Sequence, residues 1–135
     1  MADYNKFYGF VEALAEKKHD LGADTIKVAL CNAANAPVAT NTKLSDLVTV
    51  DTTNLSPLTP TLIGSSQTGG TYSLVLQDLT MTAGAAVGPF RYVVLYNDTA
   101  TDDDLICWYD YGAEITLNAG ETFTLDFGAT VLTLA

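Results

Sequence analysis

VGPFRYVVLYNDTATDDDLICWYDYG, residues 87–112, carries the only Arg and the only Trp of the chain, with Asp98, Asp102, Asp103 and Asp104 in its middle. It reads as an active site, a metal site, or two strands and the turn between them. In an extended chain Phe90, Tyr92, Val94 and Tyr96 fall on one side, and Arg91, Val93, Leu95 and Asn97 on the other. Leu105, Cys107, Tyr109 and Tyr111 alternate in the same way with Ile106, Trp108 and Asp110. Strands apolar on both faces are covered on both sides, in the centre of a sandwich or under a subunit contact. The stretch therefore predicts a central β-hairpin, with Asn97–Asp104 as its hydrophilic loop. Gly88-Pro89 is the turn leading in, and Gly112 ends the pair.

Working outward, the N-terminus predicts one amphipathic helix over residues 3–21. Tyr4, Phe7, Tyr8, Val11, Leu14 and Ala15 recur at three-and-four spacing, Asp3 offers a cap, and Gly22 follows Lys17 and Lys18 as a stop. A single short turn is predicted at Thr42–Leu47. Strands are expected at Thr25–Cys31 and Thr71–Ala83, the latter with a bulge or break at Asp78 where the phase shifts. They are also expected around Ile115–Leu117, at Phe123–Phe127 and at Val131–Leu134, with Asn118–Glu121 as a turn. Asn32–Thr42 and Thr52–Pro60 read as long loops and Ser65–Gly70 as a tight turn. The sum is a single domain over residues 1–135, mainly β, with seven to eight strands. Its fold class is a β-sandwich or jelly-roll-like domain with one N-terminal amphipathic α-helix.

Net charge is −10, which argues against nucleic acid and against an anionic membrane surface as partners. After Lys43 only Arg91 is basic, so the acids from Asp46 to Asp126 make a well-solvated surface or one suited to a basic partner. No secretory signal opens the chain and no stretch suits a bilayer span. Without export, the sequons at Asn54 and Asn97 carry no weight. Cys31 and Cys107 read as buried thiols, with a disulfide between them left open.

Chemistry finds little support in the sequence. The Asp98–Asp104 run lacks the alternating spacing and the distal Glu of a calcium loop, and reads as a solvated tip. The single histidine, His19, lies off the apolar helix face beside Lys18 and Asp20 and reads as exposed. A Cys107–His19 pair lacks a third group, and Glu114 and Glu121 flank a turn where exposure is the default. No nucleotide, hydrolase or metalloprotease fingerprint is present, so no enzyme, metal or cofactor is expected. Trp108, Tyr109 and Tyr111 can offer stacking faces to a sugar, though their alternation within an apolar strand favours core. Protein–protein association remains, because aromatic residues are enriched at the centres of interfaces.

Three segments carry a resemblance: DYNKFYGFVEALAEKKHDLGADTIKVALCNA (residues 3–33), GPFRYVVLYNDTATDDDLICWYDYG (88–112) and ITLNAGETFTLDF (115–127). Together they resemble small virion proteins of tailed bacteriophages, and capsid decoration (cement) proteins in particular. The resemblance implies a non-enzymatic protein made in the host cytoplasm and seated on the outer capsid surface. It further implies a homotrimer that clamps the major capsid protein of neighbouring capsomers. Tail or fibre proteins and a β-sandwich carbohydrate-binding module are the alternatives. Tyr4, Phe7, Tyr8, Val11, Phe90, Tyr92, Trp108 and Tyr109 are the candidate interface residues, joined by the loops at 32–42 and 52–60.

Overall fold

In chain order the elements are β1 (Asp3–Lys6), α1 (Tyr8–Ala15), β2 (Ile26–Cys31), β3 (Leu55–Ser56), β4 (Leu62–Thr68) and β5 (Thr71–Leu76). They continue with β6 (Leu79–Ala83), β7 (Val87–Asn97), β8 (Leu105–Leu117), β9 (Thr122–Leu125) and β10 (Leu132–Leu134). The computed structural model describes residues 2–135. Strands exceed the seven or eight expected because β1 and β4 arise where a helix start and a turn were predicted, and β3 within a predicted loop. All sheets are antiparallel: β1-β8-β7-β2, β10-β5-β4 and β3-β6-β9.

The predicted hairpin is the middle of the four-stranded sheet, because its strands are apolar on both sides and both sides are covered. One face, with Val28, Leu30, Phe90, Val93, Leu95 and Cys107, packs against Leu74, Met81 and Leu125 of the two smaller sheets. The other face buries Ala29, Cys31, Tyr92, Val94, Leu105 and Trp108 under Phe7 and residues 39–47. Two cores thus sandwich one sheet, and the covering of both faces comes from the chain itself. Gly88-Pro89 and Gly112 lie inside β7 and β8, where the pairing register shifts, and do not bound the hairpin as expected. At Gly88, with φ +110, an added Cβ would lie 2.8 Å from the Ile115 carbonyl oxygen, so only glycine fits. Across the same irregularity Arg91 forks onto Asp110, with Nε and Nη2 donating over 2.9 and 3.1 Å, and Asp110 also accepts from Gly112 N.

The predicted helix over 3–21 is corrected to a strand followed by a short helix. Residues 3–6 pair with β8, Tyr4 opposite Tyr109 and Lys6 opposite Cys107. Phe7, not Asp3, occupies the N-cap position, in extended conformation and without a side-chain cap. The helix ends at Ala15, and Lys17 takes a left-handed φ of 69° well before Gly22. The hydrogen bonds gained at the free edge of β8 outweigh a helical preference that is weak in a segment this short.

Other expectations hold locally. The phase shift at Asp78 is a break that sends β5 and β6 into different sheets, and Leu44–Asp46 is a single 3-10 turn. Ser65–Thr68, read as turn, is strand: only Gly69 and Gly70 turn, both with positive φ. Cys31 and Cys107 are free and buried in cores on opposite faces of the sheet, which rules out a bond between them. Among the described residues no helix is long and apolar enough to cross a membrane.

Candidate functional site

The eight candidate interface residues separate into two groups. Phe7, Phe90, Tyr92, Trp108 and Tyr109 are buried within the chain's own cores, Phe90 completely and Trp108 to 9 % exposure. Trp108 has Phe7 at a ring-centroid distance of 4.6 Å, and Tyr109 packs edge-on against Tyr4 and Phe127. These five are thereby corrected from surface to core: Phe7, Tyr92 and Trp108 lie in the core that residues 39–47 cover, and Phe90 and Tyr109 in the core against the two smaller sheets. The same burial removes the sugar-stacking platform at Trp108 and Tyr109. Tyr8 and Val11 remain on the outward face of α1, 68 and 52 % exposed, with Tyr4 part-exposed on β1. Tyr8 N donates to Ala39 O (2.8 Å), which brings exposed Val38 alongside. Around the start of α1 the protein therefore presents apolar side chains fixed to a two-core scaffold.

The loop at 32–42 is one of the two candidate contact loops. Most of the stretch from Asn32 to Val50 lies over the sheet, pinned by Leu105 N to Thr42 O, Leu44 N to Asp103 O and Val50 N to Leu30 O. Asn32 caps its first turn by accepting from Asn35 N.

His19 is the largest departure from the sequence reading. Expected to be exposed, it is 5 % accessible, its ring tilted against Phe10 at a centroid distance of 5.2 Å. Asn97 reaches it from the end of β7. Asn97 Oδ1 accepts from Thr99 N and Ala100 N, so its amide orientation is fixed, and Nδ2 donates to Asp24 Oδ2 (2.6 Å) and His19 Nδ1 (2.9 Å). Nδ1 is thus the acceptor and the proton sits on Nε2, which meets no protein acceptor. Thr25 N donating to Thr99 Oγ1, Asp98 N donating to Thr25 O and the Lys27–Asp98 ion pair stitch the same two loops together. Asp104, expected at a solvated tip, is buried and lies 3.9 Å from Lys18 Nζ, while Asp98 and Asp102 are exposed. Among the described residues no group of three or more His, Cys, Asp or Glu is placed to hold a metal.

A cleft of about 620 Å³ opens beside this network, lined among others by Lys17, Lys18, His19, Tyr72, Thr99 and Leu134. Its imidazole is held by an amide, not a carboxylate, and Asp24 is engaged by that amide. Burial drives the Cys107 thiol well above the ordinary range, so it stays protonated, with the Tyr4 hydroxyl as a polar neighbour. Cys31 is likewise pushed up, to about 11. Glu121 accepts from Asn118 N and so closes the turn it was expected to flank in the open.

Burial lowers the His19 pKa from its ordinary 6.5, against the pull of the Asp104 and Asp24 carboxylates and with help from Lys18. The unfolded chain then binds the proton more readily than the folded one. Stability present above pH 6.5 is eroded as pH falls from there towards the folded-state value. Urea unfolding at about pH 7.5 and pH 5 is expected to show lower stability at pH 5, and His19→Gln to abolish most of that difference. An equal difference in the variant would mean that His19 is not its source. The depressed pKa values of Asp46, Asp51 and Asp110 act in a lower window, below 3.8, and so do not mimic it.

No protein-family model, curated protein or solved structure matches this chain.

Proposed function

We propose that this chain is a non-enzymatic structural protein of a tailed-phage particle: a capsid decoration protein that binds the outer surface of the head and strengthens contacts between capsomers. In this reading the three sheets act as a sandwich-like scaffold, the protein works as a homotrimer, and its partner is the major capsid protein. The single observation that carries the reading is the exposure of Tyr8 and Val11 on the outward face of α1, which they share with Glu12. Tyr8 and Val11 are two of the large apolar side chains left to solvent, with Val38 nearby in the chain that Tyr8 N holds, and aromatic and aliphatic anchors of this kind form the centres of interfaces. The likeness of residues 3–33, 88–112 and 115–127 to small virion proteins supplies the kind of particle. A trimer touching several capsid subunits gains through effective concentration what each contact, of roughly 800 Å² or less, lacks alone.

The test mixes the purified protein with undecorated heads. Saturable binding at symmetry-related positions is expected, and it weakens as salt rises if the acidic surface meets basic patches on the shell. Tyr8→Asp with Val11→Asp should lower that affinity at least about tenfold, while stability changes by no more than about 0.5 kcal/mol, because both side chains are exposed. Unchanged binding by the double variant would move the contact off α1. Electron cryomicroscopy that finds the chain only in the tail or a fibre would overturn the head assignment.

A further inference from the structure

We propose that β4 is a self-association edge: two copies of this chain pair their β4 strands antiparallel about a two-fold axis, extending the β10-β5-β4 sheet across the contact. A free strand edge presents unpaired backbone N–H and C=O groups, and proteins ordinarily blunt it with charge, proline, shortness or a covering segment. The other edges here are blunted. β1 carries Asp3 and Lys6 and is four residues long. The outer side of β2 is covered, Val28 N donating to Leu58 O and Leu30 O accepting from Val50 N. β3 and β10 have two and three residues, and β9 lies between Glu121 and Asp126.

β4 has none of these devices. Its seven residues, LIGSSQT, hold no charge and no proline, and all but Gly64 are exposed, Ile63 among the most exposed apolar residues of the molecule. Its protections are a register shift at Ile63, which leaves Gly64–Thr68 in continuous pairing with β5, and the approach of Gly22 to the Ser65 side chain, where an added Cβ would lie 3.2 Å from Ser65 Oγ. The Gly69-Gly70 turn has positive φ at both residues, so Thr68 and Thr71 form a hydrogen-bonded pair and the ladder alternates from there. Ser66 therefore bonds to β5, whereas Ser65 and Gln67 turn their N–H and C=O outward.

Charge selects the occupant. The chain carries −10, yet from Thr52 to Gln77 it contains no Asp, Glu, Lys, Arg or His. Two identical acidic molecules repel wherever their acids meet, and the wing formed by β4 and β5 is where that repulsion is least, because its own residues carry no charge. A two-fold contact needs nothing but the same edge on both sides. An antiparallel strand pair buries less than a stable dimer requires, so the association is weak and depends on concentration. On a surface that already gathers copies, it becomes a link between neighbours. The inference does not depend on the phage reading.

Sedimentation across concentrations up to about 1 mM tests it, together with amide hydrogen exchange. Self-association is expected to strengthen with salt, which screens acid–acid repulsion; a basic partner would respond in the opposite sense. Amide exchange at Ser65 and Gln67 should slow as concentration rises, while Ser66 is protected throughout. Ser66→Glu and Ser66→Lys each place like charges face to face at a two-fold contact and should weaken association at least about tenfold. Ala119→Lys, in the exposed turn before β9, should leave it intact. A chain that stays monomeric at all concentrations overturns the proposal. So does association that the two Ser66 variants leave unchanged, including a trimer formed without protection of Ser65 and Gln67.

Discussion

Replacing Trp108 with Ala is expected to lower the unfolding free energy by about 3–5 kcal/mol, the usual consequence of removing a large ring from a packed core. Against the total of about 5–15 kcal/mol typical of one domain, that is a large share. The ring fills the core on the outer face of the central sheet, with Phe7 against it and Leu105, Val94 and Cys31 around it. Phe7→Ala should cost a similar amount. The double variant should lose less than the sum, because each ring is part of the other's surroundings. Chemical denaturation followed by circular dichroism measures all three. Should Trp108→Ala cost less than about 1 kcal/mol while abolishing partner binding, the ring would belong to an interface and the covering segment would have to move aside.

Asn97→Ala is expected to destabilise by about 1–3 kcal/mol, because one side chain satisfies Asp24, His19 and two backbone N–H groups, and its loss leaves the buried His19 Nδ1 without a partner and removes three further hydrogen bonds. Asn97→Asp should be harmful at neutral pH for a different reason. It sets a second carboxylate about where an amide nitrogen stood 2.6 Å from Asp24, and part of the loss should return on acidification as one of the two takes up a proton. Equal stability of Asn97→Asp and the parent at pH 7 would mean that this network carries little of the fold's stability. Loss of this clamp should also free residues 16–25 from the β7–β8 loop, visible as faster amide exchange in both segments while the central sheet stays protected.

The hairpin at 87–112 was legible because its signal is local and doubled: both faces of both strands are apolar, and a polar loop separates them. The break at Asp78 was legible for a similar reason, since a change of phase forces a change of face. The N-terminal helix was misread because Tyr4, Phe7, Tyr8 and Val11 have helical spacing whether or not a helix forms. The free edge of β8 claims residues 3–6 as a strand, and no local pattern contains that edge. β4 went unnoticed because strand reading relies on alternation, and LIGSSQT has a polar, uncharged run where alternation would be.

His19 shows the same limit at a site. Its neighbours Lys18 and Asp20 are charged and exposed, so local composition gives it to solvent; the partner that buries it, Asn97, is 78 residues away. Likewise, no pattern in sequence tells an aromatic residue in a core from one in an interface, since both are apolar and both alternate.

From its residues alone, then, this chain was bound to be a mainly β, acidic protein built on one doubly apolar hairpin, because alternation and charge are properties of near neighbours. Only tertiary structure decided that the chain itself covers both faces of that hairpin, that Tyr8 and Val11 stay outside while Trp108 goes in, and that β4 is left as a bare edge. Each of those outcomes depends on which distant segment arrives to exclude water or to complete a hydrogen bond.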